Sequence, residues 1–179
     1  MGREGAIEAL IQTRDQKIVR HLGVTGRFRP EAQMESIRRF PFATVLMAVN
    51  AADKDHYPFQ KDLLPLVVEK QKGIIGMKVM ARGRILSSWT PPPVEEQKRS
   101  WEGRGAIATT SGTNRETFFH NLSLPLSPAI MGCDSVEQVE ECAELARSFT
   151  PLSKAQRAAL EAKVVPIAKQ ALFFRLMSR

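Results

Sequence analysis

The chain has 179 residues, 43% of them hydrophobic, enough for one domain with a real core. Its net charge of +7 is spread along the sequence, with no basic block and no aromatics interleaved among the cations, so the surface reads as solvated and no nucleic-acid partner is expected. No run of about 18 apolar residues offers a membrane span, the first residues lack the apolar block of a signal peptide, and two cysteines make neither a disulfide framework nor a zinc site; a reducing cytoplasm is the expected compartment.

Residues 5–15 have helical spacing, with Ile7, Leu10 and Ile11 on one face. Residues 18–24 read as a strand closed by Thr25 and Gly26, with His21 inside it as a packed core or lumen residue. Pro30 suits the first turn of a helix running to Phe40, whose Met34 and Ile37 face inward. Residues 44–49 are almost continuously apolar, which predicts a strand buried on both faces. Residues 59–71 predict a helix that Pro65 must kink or split. Residues 73–79 predict a third buried strand, and Lys78 within it needs a partner or a site.

A long stretch rich in Arg, Ser, Pro and Gly then breaks the rhythm, as functional loops do. A helix follows over residues 114–122. Ala129 to Met131 form a short strand ended by Gly132, and Cys133 and Asp134 make a turn. Ser135 caps the next helix, with Gln138 three residues on completing a capping box, and Val136, Val139, Ala143 and Ala146 share one face. Cys133 ends the strand and Cys142 lies two turns into the helix, so the two are not expected to meet. A second capping box, Ser153 with Gln156, opens a helix to about Lys163, and Pro166 separates it from a last amphipathic segment.

Strands near residues 18, 44, 73 and 129, each followed by a helix, imply parallel βα units. The predicted class is α/β: a partial eight-unit βα barrel of about four units with a C-terminal helical extension, one truncated domain over residues 1–179. Parallel βα folds carry their sites at the C-terminal ends of strands. Those ends are Thr25 to Arg27, Asn50 to Asp53, Lys78 with Arg82, Gly83 and Arg84, and Gly132 to Ser135. The set supplies amides, hydroxyls, helix N–H groups and cations, which suits a polar, phosphorylated ligand. Acid–base candidates are few. His21, His56 and His120 lack the spacing of metal ligands, Tyr57 is the sole tyrosine, and no G-x-S-x-G, P-loop or G-x-G-x-x-G occurs.

Four stretches in this order, KIVRHLGVTGRF from Lys17, PFATVLMAVNAAD from Pro41, GIIGMKVMARGRILSSW from Gly73 and LSLPLSPAIMGCDSVEQVEECAEL from Leu122, resemble the C-terminal half of the aldo/keto reductases. That family is an eight-unit βα barrel using NADPH or NADH. The resemblance implies that Thr25 and Asn50 lie near the nicotinamide amide and that Lys78, Arg82, Gly83 and Arg84 lie over the pyrophosphate. It also implies that Gly132, Asp134 and Ser135 meet the adenosine ribose, and that Gln138, Glu141 and Cys142 meet the adenine. The family's Asp, Tyr, Lys and His catalytic group belongs to the other half, and Tyr57 does not occupy the catalytic tyrosine's place.

This sequence departs from the family where Arg27 replaces a histidine and Cys142 an asparagine. The helix after Ser135 carries Glu137, Glu140 and Glu141, a poor seat for a 2′-phosphate. The expected function is therefore the cofactor-binding half of an NAD(P)H-dependent carbonyl reductase, binding NADP or NAD weakly and inactive alone, with no metal. Its expected partner is an N-terminal half-barrel or a second copy. The alternative is a non-enzymatic, self-associating half-barrel.

Overall fold

A computed structural model describes residues 5–54, 58–86 and 113–171. His56, Tyr57 and most of the long Arg- and Pro-rich stretch lie outside the described residues. The elements in order are helix α1 (Ala6–Asp15), strand β1 (Gly23–Gly26), α2 (Pro30–Arg39), β2 (Thr44–Ala48), a wide helical turn (Phe59–Leu63) running into α3 (Leu64–Glu69), and β3 (Gly73–Met77). A tight turn (Ala81–Gly83), α4 (Asn114–Leu122), α5 (Val136–Arg147), α6 (Lys154–Val164), a second tight turn (Val165–Ile167) and α7 (Ala168–Ala171) follow. Pro65 sits in the first turn of α3, so it ends the wide turn and starts a regular helix, as its missing N–H requires.

The three strands are parallel, in the order β1-β2-β3. Right-handed βα crossovers place α2 and α3 on one face, and the core forms there. Val45, Met47 and Ile74 pack against Ile37 of α2, Phe59 and Leu63 of the wide turn, and Leu64 and Val67 of α3. Each such side chain contributes about 1.5–3 kcal/mol by leaving water. The opposite face behaves differently. Thr25, Leu46 and Ile75 share one register row, with Thr25 exposed and the other two half-buried. The strand β2 is thus buried on one face rather than both; the second face has the alternation of a barrel lumen, here open.

A second core lies across the carboxyl ends of the strands. Leu160, Val164, Ile167 and Ala171 pack on Ala48, Ala51 and Ala52 after β2 and on Ala81 and Ile85 after β3. The helices α6 and α7 therefore cover the strand ends at β2.

Several sequence expectations change. The strand expected over residues 18–24 is only Gly23–Gly26, and Ile18, Val19 and His21 before it are exposed. Pairing begins where β2 first offers a partner, with the Ala43 N–H donating to the Leu22 carbonyl. The β-branched run before that point has no described strand beside it, so His21 is no core residue. The third strand stops at Met77, because Lys78 turns left-handed at φ 58°. The fourth shrinks to a bridge between Gly76 and Ala129, although the Gly76 N–H still donates to Pro128 and the Ile130 N–H to Gly76. Gly76 is required there: a Cβ would lie 2.8 Å from Leu126 and 3.1 Å from Val49. Finally, α1 buries none of its apolar stripe, and Val136 and Val139 of α5 face outward.

Polar groups hold α6 down. The fully buried His120 of α4 shares a 3.0 Å hydrogen bond with Glu161, whose second oxygen accepts from Lys54 at 3.0 Å. Burial pushes the Glu161 carboxyl up, but the bonds from His120 and Lys54 outweigh it and hold the group below its usual range. A depressed carboxyl stabilises the fold above its unfolded value of about 4.3 and loses that contribution as pH falls through the folded value. Urea melts should show the native chain losing stability on acidification more steeply than Glu161→Gln, and that variant should be weaker at neutral pH by about 1–3 kcal/mol.

Candidate functional site

The strand-end residues converge in part on one cleft of about 840 Å³. Its walls come from three places: the turn after β3, the segment from Ile130 to Asp134 with the first turns of α5, and Asn114 at the start of α4.

The turn after β3 is strained. Lys78, Ala81 and Arg82 have φ of 58°, 46° and 58°, followed by Gly83 at 81°. Three side chains with a Cβ in the left-handed region cost about 1–3 kcal/mol each. Two buried amides hold the turn in that shape. Asn50 donates to the Lys78 carbonyl at 3.1 Å, and Asn121 to the next carbonyl, that of Val79, at 3.1 Å. The result is a close set of cations. Burial, then Arg82, then Arg27 lower the Lys78 ammonium from its ordinary 10.5. Burial and Arg82 likewise lower Arg84. Cations near enough to destabilise one another's charge make a seat for an anion.

The opposite wall is built by the cap of α5. The Ser135 hydroxyl accepts from the Gln138 N–H, while the Gln138 side chain reaches one residue further back, to the Asp134 N–H at 2.8 Å. The expected capping box is therefore displaced by one residue, and it fixes Asp134 at the cleft. Glu141 accepts twice from the Asn114 amide, at 2.8 and 3.0 Å, which ties α5 to α4. The cleft wall carries both signs of charge, Lys78 and Arg82 from the turn after β3 and Asp134 and Glu141 from the α5 side.

Of the residues predicted from sequence, Lys78, Arg82, Gly83, Gly132, Asp134, Gln138 and Glu141 line this cleft. Arg84 stands beside it, next to Arg82. Ser135 serves as the helix cap and is exposed. Thr25 is exposed at the far edge of the sheet, in register with the cleft residue Leu46. Asn50 is fully buried, its side chain committed to Lys78 and Ala52, in the stretch that α6 covers. The structure does not bring Thr25 and Asn50 into the cleft. Sequence reasoning missed Asn114 and Asn121, because each acts across a long chain separation and neither belongs to a local motif.

One expectation is overturned outright. Cys133 and Cys142 do come together: both line the cleft, and Cys133 is near enough to add to the upward push on the Cys142 thiol. The turn at Asp134 folds the loop back along α5, so a separation of two helical turns becomes a close approach.

No family profile and no curated protein sequence matches the chain. Solved structures do match. Aldo-keto reductase AKR11C1 from Bacillus halodurans in its holo form aligns with a TM-score of 0.66 at 18% identity, over 87% of this chain and 54% of that one. The glycerol dehydrogenase AKR11B4 from Gluconobacter oxydans aligns at 0.62 and 19%, over 88% of this chain and 53% of that one. The chain has the fold of part of the βα barrel of these structures. The chain spans about half the length of the structures it matches, so the half-open lumen face corresponds to a barrel wall with its other side missing among the described residues.

The strain after β3 can be isolated. Lys78→Ala and Lys78→Gly remove the same charge, but only glycine is at ease at φ 58°. The glycine variant should be more stable than the alanine variant by about 1 kcal/mol in denaturant melts.

Proposed function

We propose that this chain is the cofactor-binding half of an NAD(P)H-dependent aldo/keto reductase-type oxidoreductase and that it reduces no carbonyl by itself. The observation that carries the proposal is the pair of cations Lys78 and Arg82 on a strained turn, with Arg27 close to Lys78, in a cleft of dinucleotide-binding size. The cofactor, when bound, would supply the hydride. The chain's own residues would do the holding. The Lys78 and Arg82 charges would meet the pyrophosphate, while Asp134, Gln138 and Glu141 would face the adenosine ribose and adenine.

The acidic side argues for a ligand without a 2′-phosphate. Asp134 and Glu141 line it, and Glu137 lies one turn away on α5. A 2′-phosphate there would meet like charge, whereas a ribose diol would find acceptors. The reading therefore favours NADH over NADPH. The burial of Asn50 under α6 supports a grip on the phosphate and adenosine end rather than on the nicotinamide, which fits weak binding.

Thermal shift and calorimetry test this. NADH should stabilise the chain more than NADPH, and Arg82→Ala should weaken NADH by about tenfold, the worth of one charge-assisted bond. Binding should fall with added salt. It should also fall as pH rises through the lowered Lys78 value, because the ammonium loses its proton there, and this pH dependence should vanish in Lys78→Met. Absence of any shift with millimolar NADH would reject the reading, as would carbonyl reduction by the purified chain alone.

The open lumen face favours completion by another chain. The exposed Ile18 and Val19 precede the outer edge of β1, and the half-buried Leu46 and Ile75 lie on the open lumen face. Such edges and patches pair with another chain. A complementary N-terminal half-barrel is one occupant; a second copy is the other and needs no enzyme. Gel filtration of the isolated chain should show self-association, and a stable monomer would remove the second-copy reading.

A further inference from the structure

We infer that Cys133 and Cys142 form a dithiol site that a small-molecule disulfide oxidises to an intramolecular disulfide across one wall of the cleft. Three observations carry this. Both thiols line the same cleft. They sit on different elements, a loop and the second turn of α5, and Cys133 is near enough to help push the Cys142 thiol up. Both are unbridged and half-buried, so neither is sealed in the core. The loop also has room to adjust: Gly132 and Asp134 on either side of Cys133 are exposed, and nothing lies within 4 Å of a Cβ placed on Gly132. That freedom matters because a disulfide holds its two Cβ atoms within a narrow distance.

The two cysteines take different parts. Burial pushes the Cys142 thiol up to about 11, and the hydrogen bond and charge of Cys133 add to this. Cys142 is therefore the poorer first nucleophile. Cys133, on the loop, attacks one sulfur of glutathione disulfide. A mixed disulfide forms on Cys133, and one glutathione thiolate leaves and takes up a proton. The Cys142 thiol then gives its proton to water, its thiolate attacks the Cys133 sulfur, and the second glutathione leaves. Two protein thiols are oxidised and one glutathione disulfide is reduced to two glutathiones. The new bond ties the loop from Met131 to Asp134 onto α5, and so fixes the acidic side of the cleft.

The full chain can be equilibrated with glutathione buffers and followed by intact mass and peptide mapping. The native chain should end with a loss of two hydrogens, no adduct, and a linked Cys133–Cys142 peptide. Cys142→Ser should stop at a single glutathione adduct on Cys133, and Cys133→Ser should react more slowly. The effective concentration of the two thiols should be at least about tenfold higher in the folded chain than in urea, since the fold and not the short chain separation brings them together. A native chain that stops at glutathione adducts, that cross-links only between copies, or whose effective concentration is no higher folded than in urea would overturn the inference. None of these readouts depends on nucleotide binding, so failure here is distinct from failure of the cofactor reading.

Discussion

The site depends on a buried asparagine. Asn50 lies two residues past β2, has no exposed surface, and donates its amide to the Lys78 carbonyl just after β3. Its own side-chain oxygen accepts from the Ala52 N–H, and its carbonyl accepts from Gln60 at 2.6 Å. One residue thus satisfies polar groups from two strand ends and the helical turn after them, in a place where an unmet group costs about 1–3 kcal/mol. With the Lys78 carbonyl held by Asn50 and the Val79 carbonyl by Asn121, the chain after β3 cannot relax into the extended form its neighbours have. The left-handed turn follows, and with it the crowding of Lys78, Arg82 and Arg84.

Much of the scaffold was legible in the sequence because it is written locally. The apolar runs at Thr44 and Gly73 could only be strands, Pro30 marks a helix start, Pro65 splits the helix expected over residues 59–71, and Ser153 with Gln156 closes a full capping box. The alternation of βα units implied the parallel sheet, the strand ends pointed to Lys78, Arg82, Gly83, Gly132 and Asp134, and the family resemblance added Gln138 and Glu141. What failed was not local. The segment before β1 has the composition of a strand, but a strand also needs a neighbour, and none of the described residues provides one. Asn50 has the composition of a ligand residue, yet α6, which arrives over a hundred residues later, covers it. The meeting of Cys133 with Cys142 depends on the direction of one turn. The positive φ values at Lys78, Ala81 and Arg82 leave no mark at all, because none of these residue types favours that conformation.

The cleft wall carries both signs of charge, and that arrangement restricts the ligand more than either sign alone. A simple inorganic anion would be served by the cations and gain nothing from Asp134 and Glu141. A sugar would be served by the carboxylates and gain little from Lys78 and Arg82. A molecule with phosphates at one end and hydroxyls or an amine at the other uses both. Glu141 is already bonded to Asn114, and the Gln138 side chain to the Asp134 N–H, which ties α5 to α4 and to the loop before it. Preorganised groups lose less entropy on binding.

The cationic turn is costly in the empty protein in two separate ways, backbone strain and like-charge crowding under partial burial. Neither cost is needed to close the sheet, since β3 has already ended at Met77. A turn with Gly at positions 78, 81 and 82 would connect the same elements with less strain, and one without the cations would lower the repulsion. An anion would offset the second cost directly by favouring the charged form of Lys78. The first cost then has a use, because it is the left-handed backbone that aims successive cations from one short turn at one cleft. The strain and the charge are therefore a single feature: the amides of Asn50 and Asn121 hold the turn, and the turn brings Lys78, Arg82 and Arg84 close together.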